Sequence, residues 1–249
     1  MNMSKFSRLI LEWKTLLHSV PALFLTFFAA SVVLMNLLAN KSINLPWDWL
    51  ALDCGIIVSW VSFLCMDIAT KHFGARAATM LSITAVFVNL FACLIFFLAS
   101  LIPGMWGEAY VEGSESVIVN ALDHTFGGTW YVLLGSTIAF IVSAIINNLL
   151  NAAVGRIFHK NPDGFGAYAC RSYVSTAVAQ FTDNLVFALL VSHFFFGWTL
   201  VQCITCAITG MIVELLCEVI FSPIGYKVSR KWKKEKVGIR YLELCNMAA

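Results

Sequence analysis

Two consecutive apolar stretches near the carboxyl-terminal end of the chain decide its fold class. Residues 172–196 read SYVSTAVAQFTDNLVFALLVSHFFF, and residues 199–226 read TLVQCITCAITGMIVELLCEVIFSPIGY. Each stretch is long enough to cross a bilayer as a helix, which takes about 20 predominantly apolar residues. Neither shows the strict alternation of apolar and polar residues that is typical of barrel strands. Both therefore predict transmembrane helices.

Four further apolar runs precede these two, and the composition of the whole chain agrees with them. Hydrophobic residues make up 60% of the 249 residues and charged residues only 12%, whereas soluble domains carry about 25% charged residues. This composition excludes a soluble domain, a disordered chain and a nucleic-acid binder. We predict an all-α polytopic membrane protein with six transmembrane helices in one bundle and a single domain over residues 1–249. The predicted spans are Val20–Leu38, Leu50–Ile68, Ala77–Ile102, Gly128–Gly155, Ser172–Phe196 and Thr199–Tyr226.

Basic residues are distributed unevenly between the connecting segments. Of the 16 Lys and Arg residues, all except Lys41 lie before span one, between spans two and three, between spans four and five, or after span six. Cytoplasmic loops carry an excess of Lys and Arg, so this pattern predicts that both termini are cytoplasmic. Residues 1–19 are predicted to form an interfacial amphipathic helix. Residues 227–249 are predicted to form a basic cytoplasmic tail that contacts the lipid bilayer and not nucleic acid.

The cysteine and histidine residues do not indicate an enzyme or a metal site. Cys203 and Cys206 form a CxxC pair, but no second pair and no adjacent histidine pair completes a zinc site. Most of the eight cysteines lie inside apolar spans, where cysteine behaves as a small hydrophobic residue. The motifs of serine hydrolases, zinc proteases and phosphate-binding loops are not present in the sequence. We therefore predict no enzymatic activity, no catalytic residues, no metal and no cofactor.

Polar side chains inside the predicted spans carry most of the functional information. Asp183 and Glu214 both fall near the bilayer midplane, where a charged side chain costs about 3 kcal/mol on insertion scales. No Lys or Arg lies within either of their spans. A protein that retains two such carboxylates on consecutive helices is expected to bind a ligand with them or to carry protons. The predicted substrate-binding residues are Asn36, Asn147, Gln180, Asp183, Asn184, Phe187, Glu214 and Glu218.

Some of these polar residues also have a purely structural interpretation. Asn36 and Asn147 lie within the spans, where hydrogen bonds between asparagine side chains and other helices hold a bundle together. Asp67 is followed one turn later by Lys71, and this pair is predicted to be a partly solvated ion pair at the cytoplasmic interface. Both interpretations remain open for Asn36, Asn147 and Glu218.

Two segments of the sequence also resemble a known family. Residues 66–78, MDIATKHFGARAA, resemble the D-x-x-T-x-x-[FY]-G-x-x-x-A signature of the queuosine-precursor transporter family, whose members are also called vitamin-uptake-transporter-like proteins. The fifth span resembles that family's S-T-x-x-[SG]-Q-x-x-D-x-x-x-F segment, with Gln180, Asp183 and Phe187 at matching positions. Lys71, Asn151 and Glu214 depart from residues that are common in the family, which affects the expected substrate more than the expected fold.

The resemblance implies a multi-pass protein of the bacterial cytoplasmic (inner) membrane. It implies import of a 7-deazaguanine, preQ0 or preQ1, for the synthesis of queuosine in transfer RNA. A carboxylate such as Asp183 can accept both parallel donors of a guanine-like edge, while Glu214 can serve as counter-ion to the aminomethyl group of preQ1 or as a proton carrier.

The chain is also similar in size and helix number to the substrate-capture subunits of energy-coupling-factor transporters. That alternative implies another vitamin-like heterocycle as substrate, with an energy-coupling membrane protein and ATPases as partners. A membrane-embedded enzyme that uses Asp183 and Glu214 as an acid–base pair is a further alternative.

Overall fold

A computed structural model of the chain describes residues 4–43, 45–105, 115–127, 130–157 and 164–246. These residues form ten α-helices, one π-helical turn and a two-stranded hairpin. The elements are α1 (Lys5–Ser19), α2 (Ala22–Leu38), β1 (Ser42–Ile43), β2 (Leu52–Asp53), α3 (Ile56–Phe73), α4 (Ala75–Ser100), α5 (Glu115–Phe126), α6 (Trp130–Gly155), α7 (Phe165–Phe187), the π-helical turn (Ala188–Ser192), α8 (His193–Phe195), α9 (Leu200–Lys234) and α10 (Ile239–Asn246). Strands β1 and β2 are antiparallel, with Ser42 opposite Asp53.

The helical content confirms the all-α prediction. Within the described residues, five helical segments are long and apolar enough to cross a membrane, and α1 with α2 passes the same test as a bent pair. The five segments contain α3, α4, α6, α7 and α9, and α2 coincides with the first predicted span. The chain therefore has five or six membrane-crossing elements. The side of the membrane on which the termini lie stays a prediction.

Several helix boundaries differ from those predicted. Helix α3 begins at Ile56 and not at Leu50, because the residues before it form β2 and a turn. Helix α7 begins before the predicted Ser172, and α9 continues beyond the predicted end of its span to Lys234. The connection between the third and fourth predicted spans contains helix α5. Apolar runs mark the part of a helix that meets lipid, and a helix extends beyond that part when its polar ends also pack.

Helix α1 lies across the end of the bundle, at 105° to α2. Its polar side is fixed by an ion pair between Glu12 and Arg76 of α4, with Nη2 and Oε2 2.6 Å apart. Arg8, on α1 itself, contacts the same carboxylate at 3.4 Å. The indole nitrogen of Trp13 donates to Thr84 of α4 at 2.9 Å. An interfacial helix lies in the membrane plane. The nearly perpendicular angle between α1 and the membrane-crossing α2 agrees with that position.

The apolar surface of the bundle faces outward. In the most hydrophobic 18-residue stretch of α4 the mean hydropathy is 2.5, yet only 28% of this stretch is buried inside the protein. Phe87, Phe91 and Leu94 on this helix are all more than half exposed. In water such a surface would be strongly unfavourable, whereas lipid is its natural solvent.

Polar side chains gather instead in the interior, between α3, α6, α7 and α9. Helix α7 packs extensively against α6 on one side and against α9 on the other. Asn147 on α6, Gln180 on α7 and Glu218 on α9 are each completely buried. Buried polar groups of this kind must be hydrogen-bonded or bind a ligand. They fall into two groups along the bundle.

Candidate functional site

The first polar group lines a cavity beside the β1–β2 hairpin, called the hairpin cavity below. It holds about 30 Å³ of free space, and its walls come from α2, α3, α6, α7, α9 and the residues around β2. The lining residues are Met35, Asn36, Ala39, Asp53, Gly55, Ile56, Ser59, Ser136, Asp183, Asn184, Phe187 and Glu214. The cavity thus combines three carboxylates with one aromatic ring and several neutral polar groups.

Glu214 is held in place by hydrogen-bond donors from two neighbouring helices. The hydroxyl of Ser59 on α3 donates to Oε1, and Nδ2 of Asn184 on α7 donates to Oε2 at 3.1 Å. The amide of Gln180 faces the same carboxylate, and with its nitrogen turned toward Glu214 it donates to Oε2 at 2.5 Å and to Oε1 at 3.1 Å. Three neutral donors therefore orient a carboxylate that is only 1% exposed.

A glycine opposite Asn184 makes this arrangement possible. A Cβ atom at Gly210 on α9 would lie 2.5 Å from Nδ2 of Asn184, too close for any real contact. Gly210 precedes Glu214 by one helical turn. The small residue therefore lets the asparagine approach α9 and donate to the glutamate.

Asp183 and Asn36 are less completely paired than Glu214. Oδ1 of Asp183 accepts a hydrogen bond from Ser143 at 2.7 Å, and Oδ2 has no partner among the described residues. Oδ1 of Asn36 accepts from Ser136 at 2.6 Å, but its Nδ2 is buried without an acceptor in the described part of the chain. An unpaired buried donor costs roughly 1–3 kcal/mol. Asp183 therefore offers a free acceptor to the cavity, and Asn36 offers a free donor.

Asp53 is a cavity residue that the sequence analysis did not select. Its Oδ1 accepts a hydrogen bond from the N–H of Gly55 at 2.7 Å. A Cβ atom at Gly55 would lie 2.8 Å from this oxygen and from the carbonyl oxygen of Met35, so glycine is required there. Burial raises the pKa of Asp53 from 3.8 to about 6, although the Gly55 hydrogen bond acts in the opposite direction.

The hairpin cavity is rich in carboxyl groups. Asp53, Asp183 and Glu214 all line it, and none of the described lining residues is Lys, Arg or His. Carboxyl groups clustered in a medium of low polarity bind protons or pair with a cation, because their ionised forms repel one another. No group of three His, Cys, Asp or Glu side chains in the described residues is arranged to hold a metal ion.

The second polar group surrounds Asp67 on α3 and is called the Asp67 cluster below. Asp67 is completely buried, and Asn147 and Asn151 on α6 donate to its Oδ1 at 3.0 and 2.7 Å. Ser172 and Thr176 on α7 donate to Oδ2, the latter at 3.3 Å. The predicted partly solvated pair with Lys71 is therefore wrong, because Asp67 points into the bundle.

Arg171 and Glu218 complete the Asp67 cluster. Nε of Arg171 donates to Oδ1 of Asn151 at 2.7 Å, and its Nη2 reaches the same oxygen. Asn151 thus connects the guanidinium group to Asp67. Glu218 on α9 contacts the hydroxyl of Ser172 through Oε1 at 2.5 Å, while its Oε2 is buried without a partner in the described residues.

The eight predicted substrate-binding residues separate between these two groups. Five of them line the hairpin cavity, namely Asn36, Asp183, Asn184, Phe187 and Glu214. Gln180 lies behind the cavity wall and contacts Glu214. Asn147 and Glu218 belong to the Asp67 cluster and not to the cavity. The other polar lining residues, Asp53, Ser59 and Ser136, were not among the predicted ones. The Asp-x-Gly spacing of residues 53 and 55 is a sequence signal that could have indicated Asp53.

Comparison with known proteins identifies the family. The model of the family described as "Putative vitamin uptake transporter" matches residues 53–228, which is 176 of the 249 residues. The matched segment contains the whole Asp67 cluster and all three carboxylates of the hairpin cavity. No curated protein and no solved structure matches the chain. The chain is thus a multi-pass membrane protein that belongs to the vitamin uptake transporter family.

Proposed function

We propose that the protein imports a 7-deazaguanine precursor of queuosine and that it prefers the cationic preQ1 to the neutral preQ0. The observation that carries this proposal is the lining of the hairpin cavity, in which three carboxyl groups meet without a basic residue among the described lining. A cation with its own hydrogen-bond donors compensates the charge of their ionised forms, whereas a neutral or anionic vitamin leaves it unbalanced.

The free polar groups of the cavity suit the guanine-like edge of this ligand. Its ring N–H and exocyclic amine are parallel donors, and Asp183 has an unused Oδ2 beside the oxygen that accepts from Ser143. The unpaired Nδ2 of Asn36 can donate to a carbonyl oxygen or a ring nitrogen of the ligand. Phe187 lines the same cavity and can cover the face of the heterocycle.

The remaining carboxylates suit the aminomethyl group. Glu214 already accepts three hydrogen bonds from Ser59, Gln180 and Asn184, so its carboxyl group is held in the cavity wall and can ionise when a cation binds beside it. The positive charge of preQ1 therefore gains an electrostatic attraction that preQ0 lacks. We infer that Glu214 acts as the counter-ion.

The direction of transport follows from the distribution of basic residues. If the termini are cytoplasmic, the β1–β2 hairpin lies on the outer side of the membrane, since it connects the first and second spans. The hairpin cavity then opens outward, toward the source of an imported nutrient.

A substrate-capture subunit is the second candidate, and one feature of α2 favours it. Ala22, Thr26 and Ala30 are four residues apart and exposed, and small residues at this spacing allow close helix–helix contact in membranes. Uptake of labelled preQ1 by proteoliposomes that contain this protein alone separates the two candidates. Uptake without a partner supports a stand-alone carrier, and binding without uptake supports a capture subunit.

Equilibrium binding tests the proposed ligand directly. Purified protein is titrated with preQ1, preQ0, guanine and a panel of vitamins. We expect preQ1 to bind at least about tenfold more tightly than preQ0, corresponding to roughly 1.4 kcal/mol for the additional charge interaction. Failure of both deazaguanines to bind to folded protein would contradict the proposal.

A further inference from the structure

The Asp67 cluster contains two buried carboxylates but only one buried guanidinium group. Asp67 and Glu218 are 0% exposed, and Arg171 is 8% exposed. Arg171 is linked to Asp67 through the side chain of Asn151. A second uncompensated negative charge this deep in a membrane protein is strongly unfavourable. Charge balance therefore favours one ionised and one protonated carboxylate.

The other groups that face the two carboxylates do not alter this balance. Helix α3 contributes the thiol of Cys65, α7 the phenol of Tyr168, and α9 the thiol of Cys217, all of which are neutral at pH 7 in their ordinary state. Helix α6 contributes only amides to the cluster. Glu214 lies one turn away on α9, and Lys71 lines a separate cleft at the protein surface.

Hydrogen-bond geometry around Ser172 leads to the same result independently. Its hydroxyl oxygen contacts Oδ2 of Asp67 and, at 2.5 Å, Oε1 of Glu218. A serine hydroxyl has one proton and can donate to only one of two carboxylates. The other contact is a hydrogen bond only if a protonated carboxyl group donates to the serine oxygen.

The number of available donors identifies the protonated group as Glu218. Asp67 has four donors directed at its two oxygens, from Asn147, Asn151, Ser172 and Thr176. Glu218 has only the contact with Ser172, and its Oε2 has no partner in the described structure. An ionised carboxylate requires several donors when buried, and only Asp67 has them.

We propose that Glu218 carries the coupling proton of transport, held by Ser172 beside the ionised Asp67. This inference rests on the proposed transport function and adds its energy source. The proton enters as H⁺, binds the Glu218 carboxylate, and leaves as H⁺ on the other side. Glu214 in the hairpin cavity remains a counter-ion for substrate, so the two glutamates of α9 have different roles.

Release of the proton changes the packing of two helices. When Glu218 is ionised, Ser172 can donate to Glu218 or to Asp67 but not to both, so α7 loses a contact with α9 or with α3. The same α7–α9 pair carries the contact between Gln180 and Glu214 at the cavity. Proton binding and substrate binding therefore act on one helix pair, which gives them a physical route for reciprocal coupling.

Infrared spectroscopy tests the proton site without any substrate. Protein in lipid vesicles at pH 7 should show a carboxylic-acid C=O band that shifts in deuterium oxide. Glu218→Gln should lose this contribution, since glutamine imitates the protonated acid and can preserve the fold. Glu214→Gln is the matched control on the same helix and should retain it. A spectrum unchanged by Glu218→Gln would overturn the proposal.

Transport then tests whether this proton drives uptake. In proteoliposomes with an imposed pH gradient, acidic outside, the parent should accumulate preQ1 above its external concentration, whereas Glu218→Gln should only equilibrate it. Binding of preQ1 should stay within about threefold of the parent, or roughly 0.6 kcal/mol. Uphill accumulation by Glu218→Gln would overturn the proposal. If the parent binds no deazaguanine, the proposed function fails, and the infrared result still decides the proton site.

Discussion

The hairpin cavity and the Asp67 cluster contain similar side chains, but the key polar groups of the two differ in how many hydrogen-bond partners the protein provides. In the Asp67 cluster, Asp67 accepts four hydrogen bonds and is linked to Arg171. In the hairpin cavity, three carboxylates meet without a basic residue in the described lining, and the amide nitrogen of Asn36 has no acceptor. Asp67 is thus satisfied by groups of the protein itself, whereas Asp183 and Asn36 of the hairpin cavity are incompletely paired.

This difference distinguishes polar groups that hold the helices together from polar groups that are available to a ligand. A buried polar group that finds its partners within the protein stabilises helix packing, whereas one that is held in place without a partner is prepared for a ligand. We therefore expect loss of the groups that hold Asp67 to reduce stability and substitutions in the hairpin cavity to reduce binding. The following experiments test that division, from the largest expected effect to the smallest.

The largest effect is expected at Arg171. Arg171→Met removes the cation linked to Asp67 and leaves Oδ1 of Asn151 without its donors, and loss of one partner from a buried pair costs about 3–5 kcal/mol. The melting temperature of the purified protein should fall sharply. Arg156 is exposed and lies directly after the end of α6, so Arg156→Met is the matched control. Equal melting temperatures for the two variants would show that Arg171 is not part of a buried charge network.

Glu214→Gln should change the selectivity of the cavity. Removal of its charge should weaken preQ1 binding by about 2 kcal/mol, or roughly 30-fold, because the ligand cation loses its counter-ion. Binding of preQ0 should change by less than about threefold, or 0.6 kcal/mol. Titration calorimetry of both ligands measures the two effects. Glu235→Gln, at an exposed glutamate beyond the end of α9, is the control. Equal losses for both ligands would exclude a counter-ion role.

Asn36→Leu should reduce affinity for both deazaguanines to a similar extent. The substitution removes the unpaired donor of the cavity, and a hydrogen bond of this kind contributes about 1–2 kcal/mol, or roughly 5- to 30-fold in affinity. Asn40→Ala, one turn further along and outside the cavity lining, should leave binding unchanged. If Asn36→Leu binds preQ0 and preQ1 as well as Asn40→Ala does, Asn36 only holds α2 against α6.

The smallest effect is the pH dependence caused by Asp53. Because burial raises the pKa of Asp53 to about 6, this carboxyl group is mostly neutral at pH 5 and mostly ionised at pH 7. Affinity for the preQ1 cation should therefore rise with pH over this interval, by about 1 kcal/mol or roughly fivefold. Asp53→Asn should reduce this rise, whereas the exposed Asp48→Asn should not. An identical pH profile for Asp53→Asn would remove Asp53 from the ligand's environment.

The sequence predicted the fold class and much of the hairpin cavity, because both depend on local patterns. Apolar runs of about 20 residues are sufficient to predict helices that face lipid. Asp183 and Glu214 were recognisable because a carboxylate in the middle of such a run is costly. Asn184 and Gln180 followed from their positions beside Asp183 on one helix.

The Asp67 cluster could not be predicted in the same way, because its partners come from distant parts of the chain. Lys71 is the nearest cation in sequence, but the guanidinium group connected to Asp67 is that of Arg171 on α7. Similarly, Asn147 and Glu218 resembled binding residues in their spans, and only the packing of α6 and α9 against α3 and α7 directs them to this cluster. Helix rotation and pairing decide such contacts, and neither is set by local periodicity.

Titration of folded Asp183→Asn protein with preQ1 tests the central claim most directly. The substitution keeps the shape of the side chain and replaces an acceptor oxygen with a donor, which opposes an N–H of the ligand. We predict a loss of roughly 2–4 kcal/mol, or about 30- to 1,000-fold in affinity, with a melting temperature close to that of the parent. Thr182→Val, whose hydroxyl bonds only to its own helix, should bind normally. Parental affinity for preQ1 in well-folded Asp183→Asn protein would contradict the assignment of the hairpin cavity as the substrate site.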